Sequence, residues 1–125
     1  MRHDETQIGS LFEELRTAPR YRFPSPRQKI NAPNSKGVYV IYGPSGKVLH
    51  VGSTPRARGG IAQRLRNHLA GQSSFVATHM KGDRARLRVR HSFAYLCVAD
   101  ARQRALLEAL AIGTLCPAHI GLGLV

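Results

Sequence analysis

The apolar run at residues 38–42, Val-Tyr-Val-Ile-Tyr, is the feature of this sequence that most constrains its fold. A short run of β-branched and aromatic residues is typical of a buried strand. The Gly-Pro-Ser-Gly segment that follows predicts a four-residue turn, and residues 47–51 predict the returning strand. The sequence therefore predicts a β-hairpin near its centre.

The turn also predicts which residues of this hairpin face each other. If residues 43–46 form the loop, Tyr42 faces Lys47 and Tyr39 lies opposite His50. Directly opposed residues point to the same face of a sheet, with Cβ atoms about 4.5–5.5 Å apart. A phenol and an imidazole would then meet beside the Gly-rich segment 52–60. The alternative is a plain polar pair at the sheet surface, and a one-residue bulge would break the pairing.

Helical patterns flank the hairpin. Apolar spacing predicts helices over residues 5–17 and 61–70, and Gly71 ends the second. Asp100 is expected to begin a helix that runs to about residue 115, with Gln103 completing a capping box. Partial alternation over residues 86–98 predicts a long strand. The predicted class is mixed α+β, with a small central antiparallel sheet flanked by helices.

The chain divides by composition into two parts. Residues 1–35 combine the first helix with a basic, proline-rich linker, and residues 36–125 form the compact domain. The apolar surroundings of Cys97 and Cys116 predict buried free thiols rather than a disulfide. No stretch is apolar enough to span a membrane and no signal peptide is visible, so we expect a cytoplasmic protein without a membrane partner.

The net charge predicts the class of partner. Nineteen Lys and Arg against seven Asp and Glu give a charge of +12, which attracts polyanions. Most of the basic residues are arginines, whose planar guanidinium suits phosphate oxygens. We therefore expect DNA as the partner, with RNA as the alternative polyanion.

Two local patterns indicate chemistry. Arg64 and His68 are four residues apart and share one helix face, where they could hold a phosphate; the alternative is ordinary solvated charge. Glu108 is the lone acid in the apolar run 105–112, where a carboxylate is costly unless it is paired or binds a metal. Its alternatives are a salt bridge to Arg104 or a surface position.

The remaining acids restrict the metal chemistry. Four lie in the N-terminal part, Asp83 lies in a loop and Asp100 is the expected helix cap. The domain therefore lacks the carboxylate cluster of a two-metal nuclease, whereas one carboxylate with waters and a substrate phosphate suffices for Mg²⁺. Arg86, Arg88 and Arg90 alternate in the predicted strand and would contact phosphates, or form a solvated sheet edge.

Four short motifs together resemble the GIY-YIG nuclease family. Gly37-Val38-Tyr39 is similar to the first motif, and His50-Val51-Gly52 stands eleven residues further on, where the second motif falls. The segment 63–68, Gln-Arg-Leu-Arg-Asn-His, resembles the arginine helix of the family. Glu108, nine residues before Pro117, resembles its metal-binding glutamate. The resemblance covers residues 36–120.

The resemblance implies a fold, a reaction and a set of roles. It implies a GIY-YIG-like sheet with an N-terminal helical extension, and hydrolysis of DNA phosphodiester bonds with one Mg²⁺ or Mn²⁺ ion. Tyr39 would help to activate water, Arg64 would stabilise charge on the phosphate, and Glu108 would bind the metal. His68 would contact the phosphate or leaving group. The resemblance also places Gly52, Ser53 and Thr54 at the substrate. Beside it, we expect the basic residues Arg56, Arg58 and Arg66 to bind substrate phosphates.

The sequence departs from the family pattern at two positions. His50 replaces the usual second tyrosine, and Ile120 stands where an asparagine is expected, with His119 as the nearest polar neighbour. Because histidine titrates near neutrality, our hypothesis is that His50 shares or takes over water activation. One site cuts one strand, so a double-strand break would need a homodimer or a second visit. We expect modest sequence specificity, recognition of a DNA structure, or help from a targeting partner protein. The alternative function is a catalytically weakened nucleic-acid-binding module on the same fold.

Overall fold

The computed structural model describes residues 2–54 and 59–120, which form a four-stranded antiparallel sheet with helices on both faces. The helices are α1 (Arg2–Arg16), α2 (Gly60–Leu69) and α3 (Ala101–Leu115). The strands are β1 (Tyr21–Arg22), β2 (Gly37–Tyr42), β3 (Val48–Ser53) and β4 (Ser92–Cys97). A π-helical turn covers Phe75–His79 and a 3₁₀-helix covers Arg84–Arg88. The predicted mixed α+β class is confirmed.

Strand β2 lies in the interior of the sheet, whose order is β1-β4-β2-β3. All of its residues are buried, because its two faces pack against different helices. Tyr39 and Ile41 belong to the core beneath α2, whereas Val38 and Val40 belong to the core beneath α1 and α3. The sheet thus separates two apolar layers, and a side chain's position along β2 decides which layer it joins.

The first 35 residues pack against the rest of the domain. Phe12 and Leu15 of α1 are buried in the same apolar layer as Leu107 of α3. The linker then adds β1, which pairs with β4 through Tyr21 and Phe93. The amphipathic stripe predicted for α1 is therefore covered by the chain itself.

The hairpin is present, but its predicted register is wrong. Tyr39 pairs with Gly52 and Ile41 pairs with His50, and an irregularity separates Ile41 from Tyr42. The hydrogen bond from Gly43 N to Lys47 O closes the turn at 2.8 Å, so the ladder starts one residue later and the bulge adds a second shift. A shift of two residues preserves the face, and His50 therefore still shares a face with Tyr39.

The long strand predicted over residues 86–98 is also wrong. Arg86 and Arg88 lie in the 3₁₀-helix, Arg90 has a left-handed φ of 57°, and only residues 92–97 form β4. Within this stretch Leu87 is fully buried whereas Val89 is 59% exposed. One apolar anchor suits a helical turn, and the three arginines do not form one strand face.

The helix ends follow their sequence signals with one exception. Gly71 has a φ of 78°, and its N–H donates to His68 O at 3.0 Å, which ends α2. The Asp100 side chain accepts from Gln103 N at 2.9 Å and caps α3. The Gln103 side chain, however, donates to Gln7 on α1 instead of completing a capping box.

Two further observations concern the surface. Cys97 and Cys116 are free, as predicted, but their predicted burial is wrong, because both are exposed. Cys116 is the C-cap of α3, in the left-handed conformation. After α3, Ala118 N and His119 N donate to Val48 O and Leu49 O of β3 at 3.2 and 2.9 Å. None of the helices in residues 2–54 and 59–120 has the length and apolarity to cross a membrane.

Candidate active site

Four of the six histidines in the chain gather around Phe75, on the α2 side of the sheet. The rings of His50 and His79 stack on Phe75 at centroid distances of 5.0 and 5.5 Å. His68 meets Phe75 edge-on at 5.7 Å, and His119 lies 5.6 Å from it. We call these five rings the imidazole cluster.

Tyr39 is joined to this cluster by a buried hydrogen bond. Its hydroxyl lies 2.7 Å from His68 Nε2, and His68 Nδ1 lies 2.7 Å from Ser73 Oγ. Burial raises the pKa of Tyr39 to about 12, although the nearby Arg64 guanidinium opposes this shift. The phenol therefore stays protonated near neutral pH. A guanidinium beside its oxygen favours donation of the phenolic proton to His68 Nε2.

His50 is the half-buried member of the cluster and contacts His119. The two Nδ1 atoms are 3.3 Å apart, so one ring donates and the other accepts. Burial lowers the pKa of His50 to about 3, with smaller contributions from His119 and Arg64. Burial, and then His50 and Arg64, likewise lower the pKa of His68 to about 3. Both rings are neutral at pH 7 in the free protein.

The positive charge of Arg64 acts on these rings. It lowers the pKa of Tyr39, His50 and His68 alike. Its Nε is buried and has no hydrogen-bond partner among the described residues. A buried N–H without an acceptor is costly, so an anionic oxygen bound at this point would satisfy it.

Gly52 allows Tyr39 to take its position. A Cβ at residue 52 would lie 2.4 Å from the Tyr39 hydroxyl oxygen and 2.5 Å from its Cζ. Any side chain there would collide with a fully buried ring. Glycine is therefore required at position 52 because the Tyr39 ring occupies the space that a side chain would need.

Glu108 reaches the edge strand β3 from the other side of the sheet. Its Oε1 accepts from Ser53 Oγ at 2.9 Å, and Ser53 pairs with Val38, whose face packs on α3. The carboxylate is near enough to raise the pKa of Tyr39, as the smallest of four influences. The carboxylate and the imidazole cluster therefore lie on opposite faces of β3, at the sheet edge.

Arg104 does not pair with Glu108. Its Nη1 donates to Val98 O and Ala99 O at 3.1 and 2.8 Å, where it holds the entry to α3. The salt bridge considered for Glu108 is therefore not formed, and Ser53 is its hydrogen-bond partner.

The other sequence-predicted residues are dispersed. Thr54 is 1% exposed, and its Oγ1 accepts from Gly37 N at 3.0 Å, which closes the end of the hairpin. Arg66 is exposed and donates to Gln63 Oε1 at 3.2 Å on the far side of α2. Arg56 and Arg58 lie outside the described residues.

The oxygen donors at Glu108 suit a hard divalent cation. In residues 2–54 and 59–120, no three His, Cys, Asp or Glu side chains are grouped to hold a metal together. Mg²⁺ is commonly held by one or two carboxylates, with waters and substrate phosphate completing its shell, and Ser53 adds a second oxygen next to the Glu108 carboxylate. Glu108 and Ser53 therefore fit one Mg²⁺ or Mn²⁺ ion.

The sequence did not predict that Phe75 and Ser73 belong to the site, nor that His119 contacts His50. Phe75 and Ser73 lie in a segment without clear periodicity, which folds into a π-helical turn. His119 is brought to His50 by its backbone hydrogen bond to β3. The i, i+4 spacing of Phe75 and His79 was the one local signal available.

Comparison with known proteins adds no family assignment. No protein-family model matches the chain. No curated protein matches it either.

Proposed function

We propose that this protein is an endonuclease with a GIY-YIG-like fold that hydrolyses DNA phosphodiester bonds with one Mg²⁺ or Mn²⁺ ion. The observation that carries the proposal is the arrangement around β3. Arg64 has a buried N–H without an acceptor among the described residues, its charge acts on Tyr39 and on the imidazoles of His50 and His68, and Glu108 meets strand β3 from its other face. Phosphoryl transfer needs positioned cationic donors and a basic group, and these elements supply both.

His50 is the proposed base because it is the more exposed of the two neutral imidazoles. If its Nδ1–H donates to His119 Nδ1, its Nε2 keeps a free lone pair that accepts the proton of the attacking water. A bound phosphodiester adds negative charge next to the ring, which raises its pKa toward a useful value. His119 then positions His50.

Tyr39 and His68 have a positioning role in this scheme. Tyr39 is completely buried, and its hydroxyl is committed to His68, which Ser73 holds in turn. The hydrogen bonds from Tyr39 to His68 and from His68 to Ser73 hold these side chains in place, and they form one side of the site that contains Arg64 and His50. Arg64 donates to a phosphate oxygen and offsets the charge that develops there.

Glu108 and Ser53 would hold the divalent ion. When bound, the ion supplies Lewis-acid stabilisation of the phosphate and of the departing 3′ oxygen. We propose a cytoplasmic site of action with DNA as the partner. Because there is one such site per chain, the expected product is nicked rather than linear DNA.

The test is incubation of supercoiled plasmid with Mg²⁺ or Mn²⁺. We expect the wild type to nick it and Arg64→Gln to be about 10²–10³-fold slower, the cost of losing one charge-stabilising donor. Glu108→Gln keeps an oxygen acceptor for Ser53 but loses the charge, so metal-dependent nicking is lost while DNA binding remains. Arg102→Gln and Glu14→Gln are matched controls at exposed helix positions and retain full activity.

A second candidate function is a nucleic-acid-binding module without catalysis. Two observations favour it: Tyr39 has no exposed surface, and Glu108 lies across β3 from the imidazole cluster. In that case the wild type binds plasmid without nicking it, and Glu108→Gln leaves its affinity unchanged.

A further inference from the structure

A cationic groove lies on the side of α2 that faces away from the candidate active site. It encloses about 960 Å³ between the linker residues 24–34, α2 and the 3₁₀-helix. At about 100° per residue, Arg66 is rotated by about 200° from Arg64. The groove is therefore separate from the imidazole cluster.

The rim of the groove carries four basic side chains, Lys29, Arg66, Arg84 and Arg88. The hydrogen-bond partners of the three arginines are neutral. Arg84 Nη1 donates to Ala70 O at 2.9 Å and Arg88 Nη1 donates to Pro24 O at 2.6 Å. Arg66 donates to the side-chain oxygen of Gln63. These hydrogen bonds fix the guanidinium groups in place without neutralising their charge.

The described residues that line the groove include no acid. Asp83, the acidic residue nearest to Arg84 along the chain, is not among them. Four uncompensated positive charges around one cavity attract an anion that extends along it. Since arginine donates to phosphate oxygens in a fixed geometry, the complementary ligand is a chain of phosphates.

The floor of the groove is apolar. Ile30, Ala32 and Leu69 line it, and each packs from above on the core beneath α2. A positively charged groove can follow the phosphates of a single strand, and here the aliphatic floor, which has no aromatic side chain among its described residues, offers apolar contact to sugars and bases. A base-paired duplex hides its bases and offers such a floor no matching surface.

We propose that this groove binds a single, unpaired DNA strand. The proposal deepens the proposed function and rests on it for the identity of the polyanion as DNA. An enzyme that holds one strand in such a groove is directed to DNA with an unpaired segment. This would give structural selectivity without a long recognition sequence.

The experiment measures binding in the absence of cleavage. Fluorescence anisotropy of a fluorescein-labelled 20-nucleotide oligo(dT) is recorded in EDTA, with Glu108→Gln as the background protein. The test variant Lys29→Gln/Arg66→Gln removes two rim charges and no contact to the backbone. The control Arg16→Gln/Arg102→Gln removes two charges on exposed helix faces outside the groove.

A released counterion contributes about 0.7 to the salt slope on single strands, or about a fivefold change in affinity per phosphate at 0.1 M salt. We expect the groove variant to bind at least tenfold more weakly with a salt slope lower by about 1.4, and the control to change less than twofold. Equal losses in both variants would mean a general field and overturn the proposal. A loss seen only with duplex of the same length, or oligo(dT) displaced by a poly-Glu peptide at equal charge concentration, would also overturn it.

The two proposals fail separately. Plasmid nicking can be absent while the groove variant still loses oligo(dT) binding, which contradicts the nuclease and leaves the groove. If the wild type nicks plasmid but the groove variant binds oligo(dT) as tightly as its background protein, the groove proposal is contradicted and the nuclease proposal stands.

Discussion

Substitution of Gly52 by alanine tests whether Tyr39 is as tightly held as its contacts indicate. The added Cβ would lie 2.4 Å from the Tyr39 oxygen, 2.5 Å from Cζ and 2.9 Å from Cε2. These are atoms of a rigid ring that is 0% exposed, so the ring cannot swing into solvent. Because Gly52 is not in the left-handed region, backbone strain contributes nothing and the effect is purely steric.

The expected destabilisation has two parts. Overpacking of a close-packed core costs about 1–3 kcal/mol. Movement of the ring also breaks its hydrogen bond to His68, which costs about 1 kcal/mol. The free energy of unfolding should fall by about 2–4 kcal/mol. For a domain of this size, that lowers the melting temperature by about 10 °C.

Urea denaturation followed by circular dichroism measures this change, and two variants control it. Gly113→Ala places a Cβ in open space on α3 and should raise the free energy of unfolding by about 0.5–1 kcal/mol, because alanine is the better helix former. Combining Gly52→Ala with Tyr39→Phe removes the nearest clash but leaves the ring carbon at 2.5 Å. That double variant should recover less than half of the loss.

A Gly52→Ala protein within 0.5 kcal/mol of the wild type would refute this reasoning. Full recovery in the double variant would also contradict it, since the hydroxyl alone would then carry the clash. In either case, the close approach between β3 and Tyr39 would not be part of the folded molecule.

Three further predictions concern stability. Burial lowers the pKa of His50 from 6.5 to about 3, so between these pH values the unfolded chain binds a proton that the folded chain does not. The free energy of unfolding is therefore highest above pH 6.5 and falls as the pH decreases toward 3. In urea titrations, His50→Phe should reduce the slope of this decline by about 1.4 kcal/mol per pH unit. Asp100→Ala should cost about 1 kcal/mol through loss of the α3 cap, whereas Asp83→Ala, whose side chain makes no cap bond, should cost little in the same measurement. Leu15→Ala empties a fully buried position and should cost about 2–5 kcal/mol in thermal denaturation.

Each of these has a distinct contradicting result. Parallel pH profiles for the wild type and His50→Phe would show that the ring titrates normally. Equal losses for the two aspartate variants would show that the cap bond is not formed. A neutral Leu15→Ala would mean that α1 does not belong to the core.

Features encoded in a few neighbouring residues could be predicted from the sequence. The cap at Asp100 and the stop at Gly71 depend on side chains or dihedral preferences within one helical turn. The i, i+4 spacing of Arg64 and His68 correctly placed both on the same side of α2. Glu108 was singled out because an acid in an apolar run needs a partner, and the structure supplies Ser53.

Features decided by tertiary packing could not be predicted from the sequence. The bulge between Ile41 and Tyr42 follows from how the turn closes, which no local pattern fixes. Alternation over residues 86–90 resembled a strand, but burial of Leu87 alone selected a helical turn. The partners Ser73 and His119 both follow the residues they contact, but at very different sequence distances: five residues from His68 and sixty-nine from His50.

The backbone hydrogen bonds of residues 118–119 to β3 serve two purposes: they cover an edge strand and they position His119 in the candidate active site. An uncovered edge strand is a template on which a second chain can add, and this segment occupies part of that template while it delivers His119 to His50. Damage to the segment would thus produce self-association and a misplaced imidazole together. Loss of function there should be separated from aggregation before it is attributed to catalysis.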